Sequence, residues 1–342
     1  MRHSSFASPG VLSGLMAIVV LSAVQIDDQA PMKAATAQTA IPRTPWGAPD
    51  LQGIWEGRSN TPLERPKELA GKEFLTEEEA AALDRQTAEA ENLDRRADKV
   101  GASTDVNLGY NQFWREKASK VRGRRTSLIV DPRDGKIPPF SPAAQRLETA
   151  RAERRRLHPT DGPEDRGLFE RCILGLGGLP RLVGGSNSNI QIVQTPDHVV
   201  VFHEMIHEAR IIPLDGRPHV AQDIRQWLGD SRGRWEGDTL VVDTTNFVDM
   251  MNYRRSSDRM HLIERFTRVD ADTLNYEVTI DDPATFTRPW TAVLPMPKAE
   301  GTIFEYACHE GNYGLPNLLS GARTGEKAPV QAAKTGTHRN LK

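Results

Sequence analysis

The sequence predicts a mainly β (α+β) protein: an antiparallel, lipocalin-like β-barrel of about eight or nine strands, with N-terminal helices packed on it. Two observations carry this. From Asn189 to Asn312, short β-branched runs recur at close spacing with turn residues between them, the pattern of hairpin-connected strands. Before that stretch, two Ala- and Glu-containing segments carry helix-start signals instead. Closing many short strands into a barrel removes exposed edges.

The elements follow in order. Arg2 and His3 precede the apolar run Val11 to Val24, which is too short to span a bilayer comfortably and suits a signal peptide over residues 1–24. The cleavage point stays open, with an A-x-A match at Ala35-Thr36-Ala37; an uncleaved anchor is the alternative. A polar linker occupies 25–43, and an N-terminal strand and helical segment 44–160. The barrel spans 161–319, and a mobile tail follows at 320–342. Gly53-Ile54-Trp55 reads as a short strand with the G-x-W opening common in lipocalin-like barrels. Phe74 to Asp98 is a helix whose cap Thr76 is followed three residues later by Glu79, a capping box. Thr126 to Val130 is a strand closed by the turn Asp131-Pro132-Arg133-Asp134-Gly135. Ser141 caps a second helix from Pro142 to Arg156. The barrel strands fall at about 190–195, 198–205, 208–213, 231–236, 239–245, 261–269, 274–281, 290–296 and 303–309.

Composition bounds the function. The chain has 342 residues with 46 acidic and 44 basic groups, a balance that gives no support to nucleic-acid binding. Two cysteines, Cys172 and Cys308, suit an exported protein with a disulfide; so long a loop is worth roughly 4–5 kcal/mol in the chain-entropy model. The expected location is periplasmic or secreted, with no stable membrane insertion after signal cleavage. No C-x-x-C, G-x-S-x-G or phosphate-loop pattern is present.

His203-Glu204-Met205-Ile206-His207 spells H-E-x-x-H, a zinc-hydrolase pattern only where a helix puts both His on one face. Val199-Val200-Val201-Phe202 before it and Pro213 behind it make a strand the better reading. A reversal near Ile206-His207 then divides 198–213 into two strands, and no metal site is assigned.

Six of the nine His lie between 198 and 309. His207, His261 and His309 are candidate acid–base groups, with Glu208, Glu264 and Glu310 as the carboxylates that would orient them. His203, Arg210, Asn246, Arg265 and Tyr313 are candidate substrate-binding residues. Each is also explicable as an ordinary surface or core group. Alternation puts His261 and Arg265 on one face of their strand, and Leu262, Glu264 and Phe266 on the other.

Trp46-Gly47 through Trp55, Gly233 to Phe247, Glu264 to Asp270 and Phe304 to Gly314 together resemble an uncharacterised family of exported bacterial proteins. The resemblance spans nearly the whole mature chain and implies no catalytic residue. Two function classes remain. One is an enzyme of lyase, isomerase or hydratase type, acting without a cofactor on a small apolar or aromatic substrate in the barrel. The other is a non-catalytic periplasmic binding protein. A zinc-dependent hydrolase using His203, Glu204 and His207 stands third.

Overall fold

Turn chemistry sets the strand order. Thr195 and His198 close the first hairpin, with Thr195 N donating to the His198 carbonyl at 2.9 Å and His198 N donating to Thr195 Oγ1 at 3.0 Å. The next reversal uses left-handed backbone at Ile206 (φ 62°) and His207 (φ 46°), which ends one strand and starts another where the sequence places the break. The computed structural model describes residues 41–90, 92, 120–175, 178–182, 187–249 and 255–327. The expected signal peptide and most of the linker lie outside them.

Among the described residues there are ten strands: β1 (Gly53–Trp55), β2 (Ile129–Asp131), β3 (Ile190–Gln194), β4 (His198–His203), β5 (Glu208–Pro213), β6 (Asp230–Glu236), β7 (Thr239–Thr245), β8 (His261–Arg268), β9 (Thr273–Asp281) and β10 (Trp290–Pro297). They form two antiparallel sheets, ordered β1-β3-β4-β5 and β2-β10-β9-β8-β7-β6. The barrel expectation needs correction here, because the ladder does not close. At one seam the sheets meet through Glu56 N donating to the Pro297 carbonyl and Ala299 N to that of Ile54, both at 2.8 Å. At the other seam β5 and β6 are neighbours without a ladder. The expected strand at 303–309 is not formed either; that segment runs as turns and coil.

Period-two alternation builds the core. β8, β9 and β10 each alternate buried with half-exposed residues along their length. Their inward residues, among them Leu262, Phe266, Val278, Ile280, Trp290 and Leu294, pack with Ile192, Val199, Val201 and Ile212 of the smaller sheet. Trp55 of the G-x-W motif is fully buried and donates from Nε1 to the Leu51 carbonyl at 2.9 Å.

Among the described residues the α-helices are α1 (Glu77–Ala90), α2 (Pro142–Leu157) and α3 (Gly314–Lys327). The capping box forms as the spacing predicts, with Glu79 N donating to Thr76 Oγ1 at 3.2 Å and Thr76 N to Glu79 Oε2 at 2.8 Å. Ser141 Oγ accepts from Ala144 N at 3.1 Å. Neither N-terminal helix lays an apolar face on the sheets, since α1 buries only Ala80 and α2 only Glu148. They are tethered by polar bonds instead, as where Asp84 Oδ1 accepts from Asn60 and Val121. Ser320, the expected start of a structureless tail, lies inside α3.

Cys172 and Cys308 form a disulfide with Cα atoms 5.8 Å apart, across 136 positions of sequence. Cys172→Ala/Cys308→Ala is expected to lower the unfolding free energy by about 2–5 kcal/mol, read from denaturant unfolding of the variant against the oxidised wild-type protein. Coincident unfolding curves would contradict it.

Candidate functional site: a polar cluster between the sheets

β4 and β5 pair with His203 opposite Glu208 and Val201 opposite Arg210. Alternation therefore turns Val199, Val201 and His203, with Glu208, Arg210 and Ile212, toward the larger sheet. The interior is apolar at one end of these strands and polar at the other.

At the polar end Arg210 meets Glu264 of β8. Arg210 Nη2 donates to Glu264 Oε1 at 3.0 Å and Nη1 to Oε2. Tyr276 Oη on β9 donates to the same Oε1 at 2.6 Å. Glu264 is fully buried, and Arg210 and Tyr276 are each 4 % exposed. Behind them Glu208 accepts from Gly175 N at 2.5 Å and pairs with Arg181. Burial opposes the charge on Arg210, but the Glu264 carboxylate outweighs it and raises its pKa. Burial, then the Glu264 charge, pushes the Tyr276 phenol well up. Tyr276 therefore keeps its proton and stands as a hydrogen-bond donor to Glu264.

His203 faces the same space at 7 % exposure. Burial first, then the Arg181 and Arg210 cations, hold its pKa well below the ordinary histidine value, so the imidazole is neutral at neutral pH. Its Nε2 has no hydrogen-bond partner, and neither has Arg210 Nε. Both residues line a cavity of about 10 Å³, with Ile190, Val201, Phe266 and Met296 as its apolar walls. That volume holds about one water. A neutral imidazole with an open ring nitrogen can take or give a proton, according to tautomer.

The structure thus gathers four of the sequence candidates: His203, Glu208, Arg210 and Glu264. It does not bring the rest to this cluster. His207 is exposed on the reversal, so it and buried His203 share no face, and the helical requirement of H-E-x-x-H is unmet. Among the described residues no group of three His, Cys, Asp or Glu side chains could hold a metal ion. Glu204 instead accepts from Asn189 Nδ2 at 2.9 Å and from Phe304 N at 3.2 Å, a clamp between loops. His309, Glu310 and Tyr313 are exposed beside the disulfide. Asn246 donates to the carbonyls of Val220, Ala221 and Ile224 at 3.2, 2.8 and 3.1 Å, which fixes a loop. Arg265 lies on the outer face with Glu236, 3.0 Å away.

His261 is on that outer face too. Its Nε2 lies 2.8 Å from Asp243 Oδ2, and Asp243 Oδ1 is 3.0 Å from His219, whose other ring nitrogen is 2.8 Å from Asp230. Sequence reasoning missed Arg181 and Tyr276 of the inner cluster and Asp230 of the outer one, and it gave Asp243 only a secondary place, as a group that could point into a cavity. Tyr276 did leave a signal, as the polar-tipped member of the inward series Leu274, Tyr276, Val278, Ile280. Arg181 lies in a connection without periodicity and left none.

No family model matches the chain, and no curated protein matches it. Among solved structures, a variant of the fluorescent protein UnaG shares 15% identity, covering 40% of this chain and 88% of its own, at a TM-score of 0.22. So low a score carries no argument about function.

Removing one member of a buried ion pair strands the other's charge, so Arg210→Met should cost about 3–5 kcal/mol in unfolding free energy. Arg210→Met/Glu264→Leu should recover most of that loss; equal instability of the single and double variants would count against a charge-pair origin. The outer pair gives a pH signature. Burial works to raise the Asp243 pKa, but the His261 bond and charge together with His219 outweigh it and hold it low, and the Asp243 bond holds His261 high. Asp243's contribution is present above its unfolded pKa and fades as pH falls through its lowered folded value. His261's is present below its unfolded pKa and fades as pH rises through its raised folded value. Both groups are part-exposed, so the gain is about 1 kcal/mol or less. It should appear as a plateau between the two unfolded values that declines toward the folded value on either side, lost in Asp243→Asn, in stability measured against pH.

Proposed function

We propose that this chain is an exported enzyme that moves protons on a small, mostly apolar organic molecule, with His203 as the acid–base group and no organic cofactor. The observation that carries the reading is the pair of open valences in one buried cavity: Nε2 of neutral His203 and Nε of Arg210. Buried polar atoms without partners are rare and call for an explanation, functional or otherwise. A ligand oxygen, hydroxyl or carbonyl, would accept from Arg210 Nε while His203 removes a proton from that group or the adjoining carbon. Charge developing on the oxygen would then lie against a guanidinium already fixed by Glu264, without reorganisation. The apolar walls exclude water and keep the imidazole neutral. This is lyase, isomerase or hydratase chemistry.

Access needs a local opening. Gly57 approaches Ser188 so closely that a Cβ there would lie 2.3 Å from the Ser188 carbonyl oxygen, and both residues border the cavity. Parting these two is what admits anything larger than water. The disulfide, together with the apolar run at 11–24, supports export. No helix among the described residues is long and apolar enough to cross a membrane. Two sheets turning their inner faces on one another support a lipocalin-like arrangement.

His203→Ala and His203→Gln should keep the fold, monitored by near-UV circular dichroism. Each should reduce turnover of an aromatic or terpenoid substrate found by screening by about 10²–10⁴-fold, the usual scale of acid–base catalysis. Where His203 acts as base, the wild-type rate should fall on the acid side only as pH drops through its lowered pKa. Full turnover in both variants sinks the assignment, and unaltered binding without any wild-type turnover makes the chain a binding protein.

A further inference from the structure

We infer that the open cavity beside the disulfide is a second ligand site, one that takes an organic cation with an apolar body. The cavity measures about 560 Å³, within the size range of small-molecule sites. It is separate from the cluster between the sheets and shares no lining residue with it. Phe169 and Tyr306 form one wall, their ring centroids 6.4 Å apart and their planes tilted by 48°. Leu315 and Leu318 of α3 form another.

The charges on the lining decide the sign of the ligand. Arg166 is neutralised in place, its Nε and Nη2 donating to the Glu170 carboxylate at 2.8 and 2.6 Å. Glu305 also lines the cavity and has no ion-pair partner among the described residues. One carboxylate is thus left over beside two aromatic rings. Ring faces carry negative quadrupole potential and attract cations, ammonium groups above all. An anionic ligand would meet that carboxylate, and a neutral one would gain only apolar contact.

The wall is cross-linked across the fold. Phe169 precedes Cys172 by three residues, Tyr306 precedes Cys308 by two, and the disulfide joins the two cysteines. Asn312, a further lining residue, donates from Nδ2 to Cys172 Sγ at 3.5 Å. Glu204 holds the start of the same segment through Phe304 N. The aromatic wall is therefore set before any ligand arrives, and reduction would release it.

The test titrates the full, oxidised chain with benzyltrimethylammonium, benzyl alcohol and benzoate, followed by calorimetry and by NMR shifts of Tyr306. The cation should bind saturably and about fivefold or more tighter than the alcohol, with benzoate weakest. Glu305→Gln should weaken the cation by about fivefold and leave the alcohol unchanged. Tyr306→Leu and disulfide reduction should each weaken both. His203→Ala should leave all three affinities as they are, which separates this site from the proposed catalytic one. The inference is overturned if cation and alcohol bind equally, if Glu305→Gln has no effect, or if the cation shows no saturable binding.

Discussion

The pairing of Arg210 with Glu264 is the constraint on which the interior depends. It joins the two sheets where no backbone ladder does, and it does so in a space sealed from water. Burying two charges is costly, and such a pair adds little net stability compared with apolar packing. What it adds is position. A one-residue slip of β5 against β4 would turn Arg210 outward and bring Ala209 and Ile211 inward. Glu264 would then be stranded among Leu262, Phe266 and Val278. The pair therefore penalises the wrong register far more than it rewards the right one.

His203 depends on the same arrangement. Two guanidiniums nearby would be poor company for a protonated imidazole, and each is itself held by a carboxylate, Glu208 or Glu264. The cluster balances its own charge while keeping one ring nitrogen uncommitted. This is how a buried polar group can be both costly and retained. Glu204, next in sequence, faces other neighbours and ties two loops together, so the five residues that spell a metalloprotease signature are divided among three unrelated tasks.

Much of the fold was legible because its signals are local. The capping box at Thr76, the cap at Ser141 and the alternation of β8 and β9 are written within a few residues, and the structure follows them. The reversal at Ile206-His207 was legible from strand length alone. The closure of a barrel was not, because it depends on whether β5 and β6 come into ladder register, and no local pattern encodes that. The segment at 303–309 has β-forming residues yet pairs with no strand, and it is held by Cys308 and Glu204 instead. At the site, His203, Glu208, Arg210 and Glu264 could be named from sequence, but their convergence spans β4, β5 and β8. His261 was found for the wrong face, and its partner Asp243 was read as secondary because its strand looked structural.

The cross-link at Cys172 and Cys308 has a topological side. Of the strands among the described residues, β3 to β10 lie between the two cysteines and only β1 and β2 lie outside. The principal sheets are therefore carried on a covalent ring, with the N-terminal portion docked as a pendant strip. A single peptide-bond scission in the exposed stretch from Arg217 to Trp227 would open the ring and shed nothing, since both arms would stay tethered through sulfur. To such a molecule a protease nick there would be a scar and not an amputation.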